Sequence, residues 1–173
     1  MSNKLSLLVA VFIMFGFIAC KKDNTSSPAI DANPNITING ISTDLLGSSK
    51  AFYTSPLNND SIVIVNSSVN DSSVFNNRTN INNISAVTNY LIFYINYNNT
   101  ISQITYSASQ NVTTYFQVNG NRYKSFPFLP TSITIDTINN SFVSGSYRSQ
   151  VVNQTNSADV SNPTFTGRFR ANR

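Results

Sequence analysis

Short stretches in which apolar and polar residues alternate recur after Pro34, and this period of two is the feature that most constrains the fold. Side chains of a β-strand point alternately to its two faces, so the pattern predicts strands. The predicted strands are Asn35–Ile41, Ser61–Val65, Tyr90–Tyr97, Ile101–Tyr106, Val112–Val118, Asn121–Ser125, a strand through Ile133 and Ile135, Phe142–Asn153 and Thr164–Arg170. No stretch after residue 20 has a helical period, so we expect an all-β protein of about eight to ten short strands.

Turn residues between these runs indicate how the strands connect. Asn39-Gly40 and Asn119-Gly120 each combine two residues that tolerate a positive φ, which predicts tight hairpins. Residues 66–89 are rich in asparagine and serine and are predicted to form a long loop. Regular turns between short strands favour a single antiparallel β-sandwich or a partly open barrel over residues 35–173.

The segment Tyr90–Tyr97 is apolar on both faces, with Leu91, Phe93 and Ile95 on one face. Such a strand belongs in the centre of a sheet or lines a cavity. Two functions therefore stay open at this point. A pocket floored by Leu91, Phe93 or Tyr94 would favour a lipocalin-like carrier of a small apolar or sugar ligand, whereas a filled core would favour a surface binding module.

The N-terminus has the organisation of a secretion signal. An apolar run, Leu5–Ala19, follows Lys4 and ends at Cys20, the only cysteine of the chain. The run is shorter than the roughly 20 apolar residues that a membrane-spanning helix needs. An ordinary cleaved signal requires small residues at the first and third positions before the cut, and Phe17 violates that rule.

Ala19-Cys20 instead resembles the lipobox of bacterial lipoproteins, in which the cysteine is acylated and becomes the first mature residue. The resemblance implies a signal peptide over residues 1–19 and a palmitate-type lipid anchor on Cys20. Residues 20–34 are polar and contain two prolines, which predicts a flexible tether. Lys21 follows the cysteine where an aspartate would favour inner-membrane retention, so we expect an outer-membrane protein, on the periplasmic face or the cell surface.

Composition argues against most chemistry. The chain has no histidine, so neither a Ser-His-Asp triad nor a histidine metal site can form. Its seven acidic residues are aspartates scattered near predicted turns, which does not suggest a pair of catalytic carboxylates. We therefore expect no enzyme, no cofactor and no metal. The net charge of +4 is not concentrated in clusters of lysine and arginine, so we expect no nucleic-acid partner.

Two weaker patterns suggest surface contacts. Ser61 and Thr137 each lie between an aspartate and an isoleucine, which resembles the triplet at which Bacteroidota O-glycosylate exported proteins. Arg148, Arg168 and Arg170 are predicted to share the outward face of the last two strands and would contact an anionic glycan or lipid phosphate if those strands pair. A glycan or an envelope protein is the partner that these patterns favour.

Both ends of the predicted domain resemble one family. An early strand reads Ile-Thr-Ile-Asn-Gly over residues 36–40, and later segments read Phe-Val-Ser-Gly-Ser-Tyr over 142–147 and Phe-Thr-Gly-Arg-Phe over 165–169. These motifs are similar to those of small Bacteroidota lipoproteins of the DUF6252 type. A tryptophan that the family has after Asn-Gly is absent here, with Phe52 or Tyr53 as its replacement. The resemblance implies a β fold and an envelope location, and it carries no catalytic residues.

Overall fold

The computed structural model describes residues 33–54, 60–70, 72–97, 99–107, 112–156 and 158–173. The predicted signal peptide, Cys20 and residues 20–32 of the predicted tether lie outside the described residues. Within them the chain forms two antiparallel sheets of six strands each, which pack face to face and do not close into a barrel. This confirms the all-β prediction and selects the sandwich from the two alternatives.

The first sheet has the order β2-β1-β12-β10-β9-β6, and the second has the order β11-β8-β7-β5-β4-β3. The strands are β1 (Asn35–Ile38), β2 (Ile41–Asp44), β3 (Ser49–Tyr53), β4 (Ser61–Ser67), β5 (Tyr90–Asn96), β6 (Thr105–Ser107), β7 (Val112–Val118), β8 (Asn121–Lys124), β9 (Thr131–Ile138), β10 (Phe142–Gln150), β11 (Val152–Asn153) and β12 (Thr164–Asn172). One helical turn, α1 (Ser73–Asn76), and a 3-10 turn (Ile81–Asn83) follow β4.

Both predicted Asn-Gly hairpins are present. Asn39 and Gly40 have φ values of 49° and 80° and connect β1 to β2. Asn119 and Gly120 have φ values of 50° and 81° and connect β7 to β8. Two consecutive residues at positive φ give a turn whose twist matches that of the paired strands, which is why asparagine and glycine occupy these positions.

Aromatic rings fill the space between the sheets. Phe93 of β5 lies at the centre and packs edge to face against Phe116, Tyr147 and Phe169, with ring centroids 6.0, 5.0 and 5.5 Å away. Phe165 extends the cluster by contacting Phe116 at 4.9 Å. Burial of each such phenylalanine stabilises the fold by about 1.5–3 kcal/mol, and edge-to-face packing adds specificity to the contact.

Gly167 of β12 is required by close packing between strands. A Cβ atom at this position would overlap the carbonyl oxygen of Asn35 in β1 and would lie 2.9 Å from the hydroxyl of Tyr147. That hydroxyl donates a 2.9 Å hydrogen bond to the same carbonyl oxygen. The absent side chain therefore leaves room for a buried contact that joins β1, β10 and β12.

The predicted long strand Phe142–Asn153 is wrong, because the segment belongs to two sheets. β10 ends at Gln150 in the first sheet, and Val152–Asn153 pairs with β8 in the second. Val151 is fully buried between them, and its amide donates to the carbonyl of Pro163, the residue that immediately precedes β12. The alternation of inward and outward side chains continues through the bend, so the period of two conceals it.

The N-terminal half differs from expectation in three further places. The strand β3 was not predicted, and the predicted strand Ile101–Tyr106 is a shorter one, Thr105–Ser107. The predicted loop over residues 66–89 begins two residues later, because β4 extends through Ser67. Most of that segment covers the outer face of the second sheet and includes α1 and the 3-10 turn.

We predict that Gly167→Ala destabilises the domain by at least about 3 kcal/mol, because the new methyl group would push β1 away from β12. The matched control is Gly40→Ala, where a Cβ has open space but the φ of 80° is unfavourable. That change should cost only about 1–2 kcal/mol. Urea unfolding of the two variants measures both values, and a Gly167→Ala cost no greater than that of Gly40→Ala would contradict the packing argument.

Candidate functional site

The second sheet carries a polypeptide cover on its outer face, formed by residues 72–89 and called here the cover segment. Its Val74 and Ile84 are buried against Val63, Val65 and Ile92 of the central strands. These contacts form a second apolar cluster, separate from the core between the sheets. The cover segment is therefore a packed layer of the structure.

Side chains from the sheet hold the cover segment in place through its backbone. The hydroxyl of Tyr94 donates to the carbonyl of Arg78 at 2.7 Å. The amide nitrogen of Gln117 donates to the carbonyls of Ser85 and Thr88 at 2.6 and 2.7 Å. Each bond satisfies a backbone oxygen that the irregular segment leaves without a ladder partner.

Arg122 of β8 fixes the middle of the cover segment through hydrogen bonds. Its guanidinium donates to Asn82 Oδ1 at 3.0 Å, to the carbonyl of Ile84 at 3.1 Å and to Gln117 Oε1 at 2.9 Å. The planar guanidinium has five donors in a fixed arrangement, which suits it to joining three acceptors from two chain segments.

A cleft of about 840 Å³ lies where the cover segment leaves the outer face of the sheet exposed. Val63, Tyr94 and Thr113, from three adjacent strands, form its floor, and residues 78–82 form one wall. A recess of about 390 Å³ also borders Ile81 and Asn82. Both spaces are lined by Tyr115, so its ring lies between them.

Tyr94 and Tyr115 line the cleft, and Phe126 and Phe128 flank Pro127, which also lines it; we call these four aromatic side chains the aromatic row. The Tyr94 and Tyr115 rings meet edge to face with centroids 5.9 Å apart. Lys124 Nζ lies 5.3 Å from the Tyr115 ring and 5.8 Å from Phe126, which stacks on Phe128 at 5.6 Å. Phe128 is 78% exposed, a large fraction for a phenylalanine.

Of the residues that the structure describes, Arg78 is the only charged one that lines the cleft. Its guanidinium carbon lies 4.8 Å from the Phe52 ring and 4.5 Å from the Phe75 ring. One of its nitrogens donates to the carbonyl of Phe75 at 2.9 Å. These contacts fix the guanidinium in the wall, while asparagine, threonine and tyrosine side chains supply most of the remaining polar groups of the lining.

The two predicted glycosylation residues lie in different places. Ser61 lines the cleft, is half-buried, and donates through its hydroxyl to Asn96 Oδ1 at 2.9 Å. Thr137 is half-buried in β9 and is paired with Ser144 of β10 in the first sheet. Their glycosylation stays a prediction.

The three predicted arginines share the outer face of the first sheet, because β10 and β12 pair along their whole length. Arg148 is exposed, and Arg168 forms an ion pair with Asp136 at 3.4 Å. The guanidinium carbon of Arg170 lies 4.2 Å from the Phe142 ring. The structure thus brings the arginines together but gives two of them partners within the sheet, on the opposite side of the sandwich from the cleft.

A β-bulge explains the position of Asp136. Gly145 pairs with Ile135, whereas the preceding Ser144 pairs with Thr137, so Asp136 is one extra residue in β9. A bulge redirects side chains on the longer strand, and here it accompanies the contact of Asp136 with Arg168.

The residues proposed to floor an internal pocket divide between two environments. Leu91 and Phe93 are fully buried in the core between the sheets. Tyr94 points to the other side and floors the open cleft. The ring contacts around Phe93 show that this part of the core is filled.

In the part of the chain that the structure describes, no three acidic, cysteine or histidine residues come close enough to hold a metal ion. Within the same residues, no helix has the length and apolar character required to span a membrane.

Comparisons with known proteins found no counterpart: no protein-family model matches the chain, and neither a curated protein nor a solved structure does.

The cover segment and the cleft were missed from the sequence, although signals for the cover were present. The outward residues of Tyr90–Asn96 are as apolar as its inward ones, so a second layer had to cover them. Val74, Phe75, Ile81 and Ile84 are apolar residues in a mostly polar stretch, and they supply that layer.

We predict opposite outcomes for removing two tyrosine hydroxyls from the same face of β5. Tyr94→Phe should cost about 1 kcal/mol, because the hydrogen bond to the cover segment is lost. Tyr90→Phe should cost nothing or stabilise slightly, because the buried Tyr90 hydroxyl has no hydrogen-bond partner among the described residues. Urea unfolding provides the comparison, and equal destabilisation by both changes would refute it.

Alkaline pH should reveal the burial of Tyr90 separately. Burial raises the pKa of Tyr90 from 10.0 to about 12, so its ionised form is disfavoured in the folded protein. The contribution of this pKa shift to the free energy of unfolding is fully present below pH 10 and is lost as the pH rises through 12. Tyr90→Phe should therefore flatten the decline of unfolding free energy between these values by about 1.4 kcal/mol per pH unit. The same slope in wild type and variant would exclude this contribution.

Proposed function

We propose that this chain is a lipid-anchored, non-catalytic binding protein of the bacterial envelope, held in the outer membrane through acyl chains on Cys20. Its β-sandwich domain binds a partner in the cleft on the outer face of the second sheet. The observation that carries this proposal is the cleft itself, which combines an aromatic floor with convergent amide and hydroxyl groups. Concave sites with a few fixed polar groups are the usual form of ligand sites in proteins.

The binding role rests on the outer cleft and not on the interior of the sandwich. A carrier of the lipocalin kind encloses its ligand inside a barrel, whereas the sheets here are separate and Phe93 contacts three rings between them. The filled core supports the surface module over the carrier.

The side chains that line the cleft are already held in place, as in a preformed site. Four residues of the lining (Arg78, Asn82, Tyr94 and Asn96) each make a hydrogen bond within the protein. Side chains that are already ordered lose little conformational entropy when a ligand binds, so the contacts they offer contribute more fully to affinity.

The anchoring part of the proposal rests on the sequence of the N-terminus. A single acyl chain holds a protein to a bilayer only marginally, and two or more chains make the attachment lasting. The lipobox-like Ala19-Cys20 supports attachment of several chains at one residue, and the similarity to DUF6252-type lipoproteins supports the same location. The predicted tether over residues 20–34 then separates the domain from the bilayer.

Cys20→Ala should move the protein from the membrane fraction to the soluble fraction, because the acyl chains require the thiol. Cells grown with labelled palmitate should incorporate label into the wild type and none into the variant. Lys21→Ala is the matched control: it changes the adjacent residue, keeps the cysteine and should remain both labelled and membrane-bound. A Cys20→Ala protein that stays in the membrane fraction would overturn the lipid anchor.

A further inference from the structure

We propose that the cleft binds a chain of neutral hexopyranose sugars, with the aromatic row as its stacking surface and the asparagines of the rim as its hydrogen-bonding groups. This inference rests on the proposed binding role and assigns it a ligand class.

Stacking on sugar rings explains the exposed aromatics. One face of a pyranose presents C–H groups with partial positive charge, and the face of an aromatic ring is negative, so the two attract. Tyr115 lines both the cleft and the smaller recess, and Phe128, which is 78% exposed, follows the cleft residue Pro127. A phenylalanine exposed to this extent has no role in the core, and its contact with Phe126 leaves much of its surface available.

Hydrogen-bond donors on the rim suit the hydroxyl groups of a sugar. The Oδ1 atom of Asn96 accepts from Ser61 at 2.9 Å, and that of Asn82 accepts from Arg122 at 3.0 Å. No hydrogen bond joins either Nδ2 group to another described residue. The acceptor end of each amide is thus fixed by the protein, and two donors on each remain for a ligand.

The shape of the site favours a chain over a single sugar. The cleft of about 840 Å³ and the recess of about 390 Å³ share Ile81, Asn82 and Tyr115. The cleft volume alone lies within the range of about 300–1,000 Å³ that is typical of small-molecule sites. A ligand that continues past Tyr115 would occupy both the cleft and the recess, which a single sugar ring could not do.

The charge of the lining favours a neutral ligand. Among the described residues, Arg78 is the only ionic group that lines the cleft, and its guanidinium is already held by two rings and a carbonyl. Arg122 and Lys124 line the recess, but Arg122 already donates to three acceptors within the protein and Lys124 lies over the Tyr115 and Phe126 rings. An acidic polysaccharide would require cations directed into the cleft, and its floor has none.

An extended peptide fits the site less well than a sugar chain. Peptides that bind to sheets add a strand to an exposed edge and use its free backbone groups. The cleft lies over β4, β5 and β7, each of which is paired on both sides. Those strands have no ladder edge for a peptide, so recognition must come from side chains, as it does for sugars.

The test titrates the full-length protein, purified in a zwitterionic detergent without a sugar headgroup, with cellohexaose, chitohexaose, mannohexaose and maltohexaose up to about 10 mM, where affinities of a few kcal/mol become visible. Ring signals of labelled tyrosines are followed by NMR. We expect at least one probe to shift the signals of Tyr94 and Tyr115 in a saturable way. Tyr115→Ala should weaken that binding by about tenfold or more.

Two further variants distinguish the loss of a contact with the ligand from a disturbance of the fold. Phe128→Ala removes an exposed ring that supports no core contact, and we expect it to weaken binding severalfold while leaving the unfolding curve unchanged. Phe142→Ala is the matched control, because it removes an aromatic ring from the outer face of the first sheet. It should bind the probe as the wild type does.

Three results would overturn the saccharide proposal. They are failure of all four probes to shift Tyr94 or Tyr115, unchanged binding in both Tyr115→Ala and Phe128→Ala, and equal weakening by Phe142→Ala. A decapeptide of alternating proline and serine is titrated in parallel. If it alone shifts the two tyrosines, the binding role stands and the saccharide assignment falls. If neither ligand class shifts them, the binding role loses its site, while the anchor is tested independently by Cys20→Ala.

Discussion

Burial of the central strand β5 on both of its faces is the constraint on which the rest of the structure depends. Its inward residues pack against the first sheet, where Phe93 meets three other rings. Its outward Tyr90 and Ile92 are also fully buried, which no single opposing sheet can achieve. The chain therefore needs three layers, and the cover segment is the third. Because apolar burial is the main favourable term in folding, the cover and the core stabilise one another through this strand.

The cleft is a consequence of how far that cover extends. Residues 72–89 cover Tyr90 and Ile92, but they leave Tyr94 half-buried at the floor of an open space. The same tyrosine bonds to the cover through its hydroxyl, so one side chain both fixes the wall and forms the floor. A site built in this way does not require the core to change when a ligand binds.

The sequence located most of the strands but not their assignment to layers. Period-two patterns located β5 and β7, and Asn-Gly pairs located both hairpins, because these signals depend on near neighbours. The bend at Val151 was missed because alternation continues through it while the pairing partner changes. The cover segment was missed because α1 has a single turn, too short to show a helical period. The candidate site was harder still to predict from the sequence, because Tyr94 and Tyr115 become neighbours only when β5 pairs with β7.

The two outer faces of the sandwich differ in the side chains that they present, and this difference bears on function. The outer face of the first sheet presents short hydroxyl side chains, the exposed Arg148 and two arginines that already have partners, such as the Arg168–Asp136 pair. Exposed ion pairs of this kind contribute little to the free energy of folding. The outer face of the second sheet has large rings beside fixed amides in a cleft, and the Arg122–Asn82 bond that holds the cover also orients one of those amides. The contacts of Tyr94 and Arg122 that stabilise the fold thus also shape the site that we propose for a ligand.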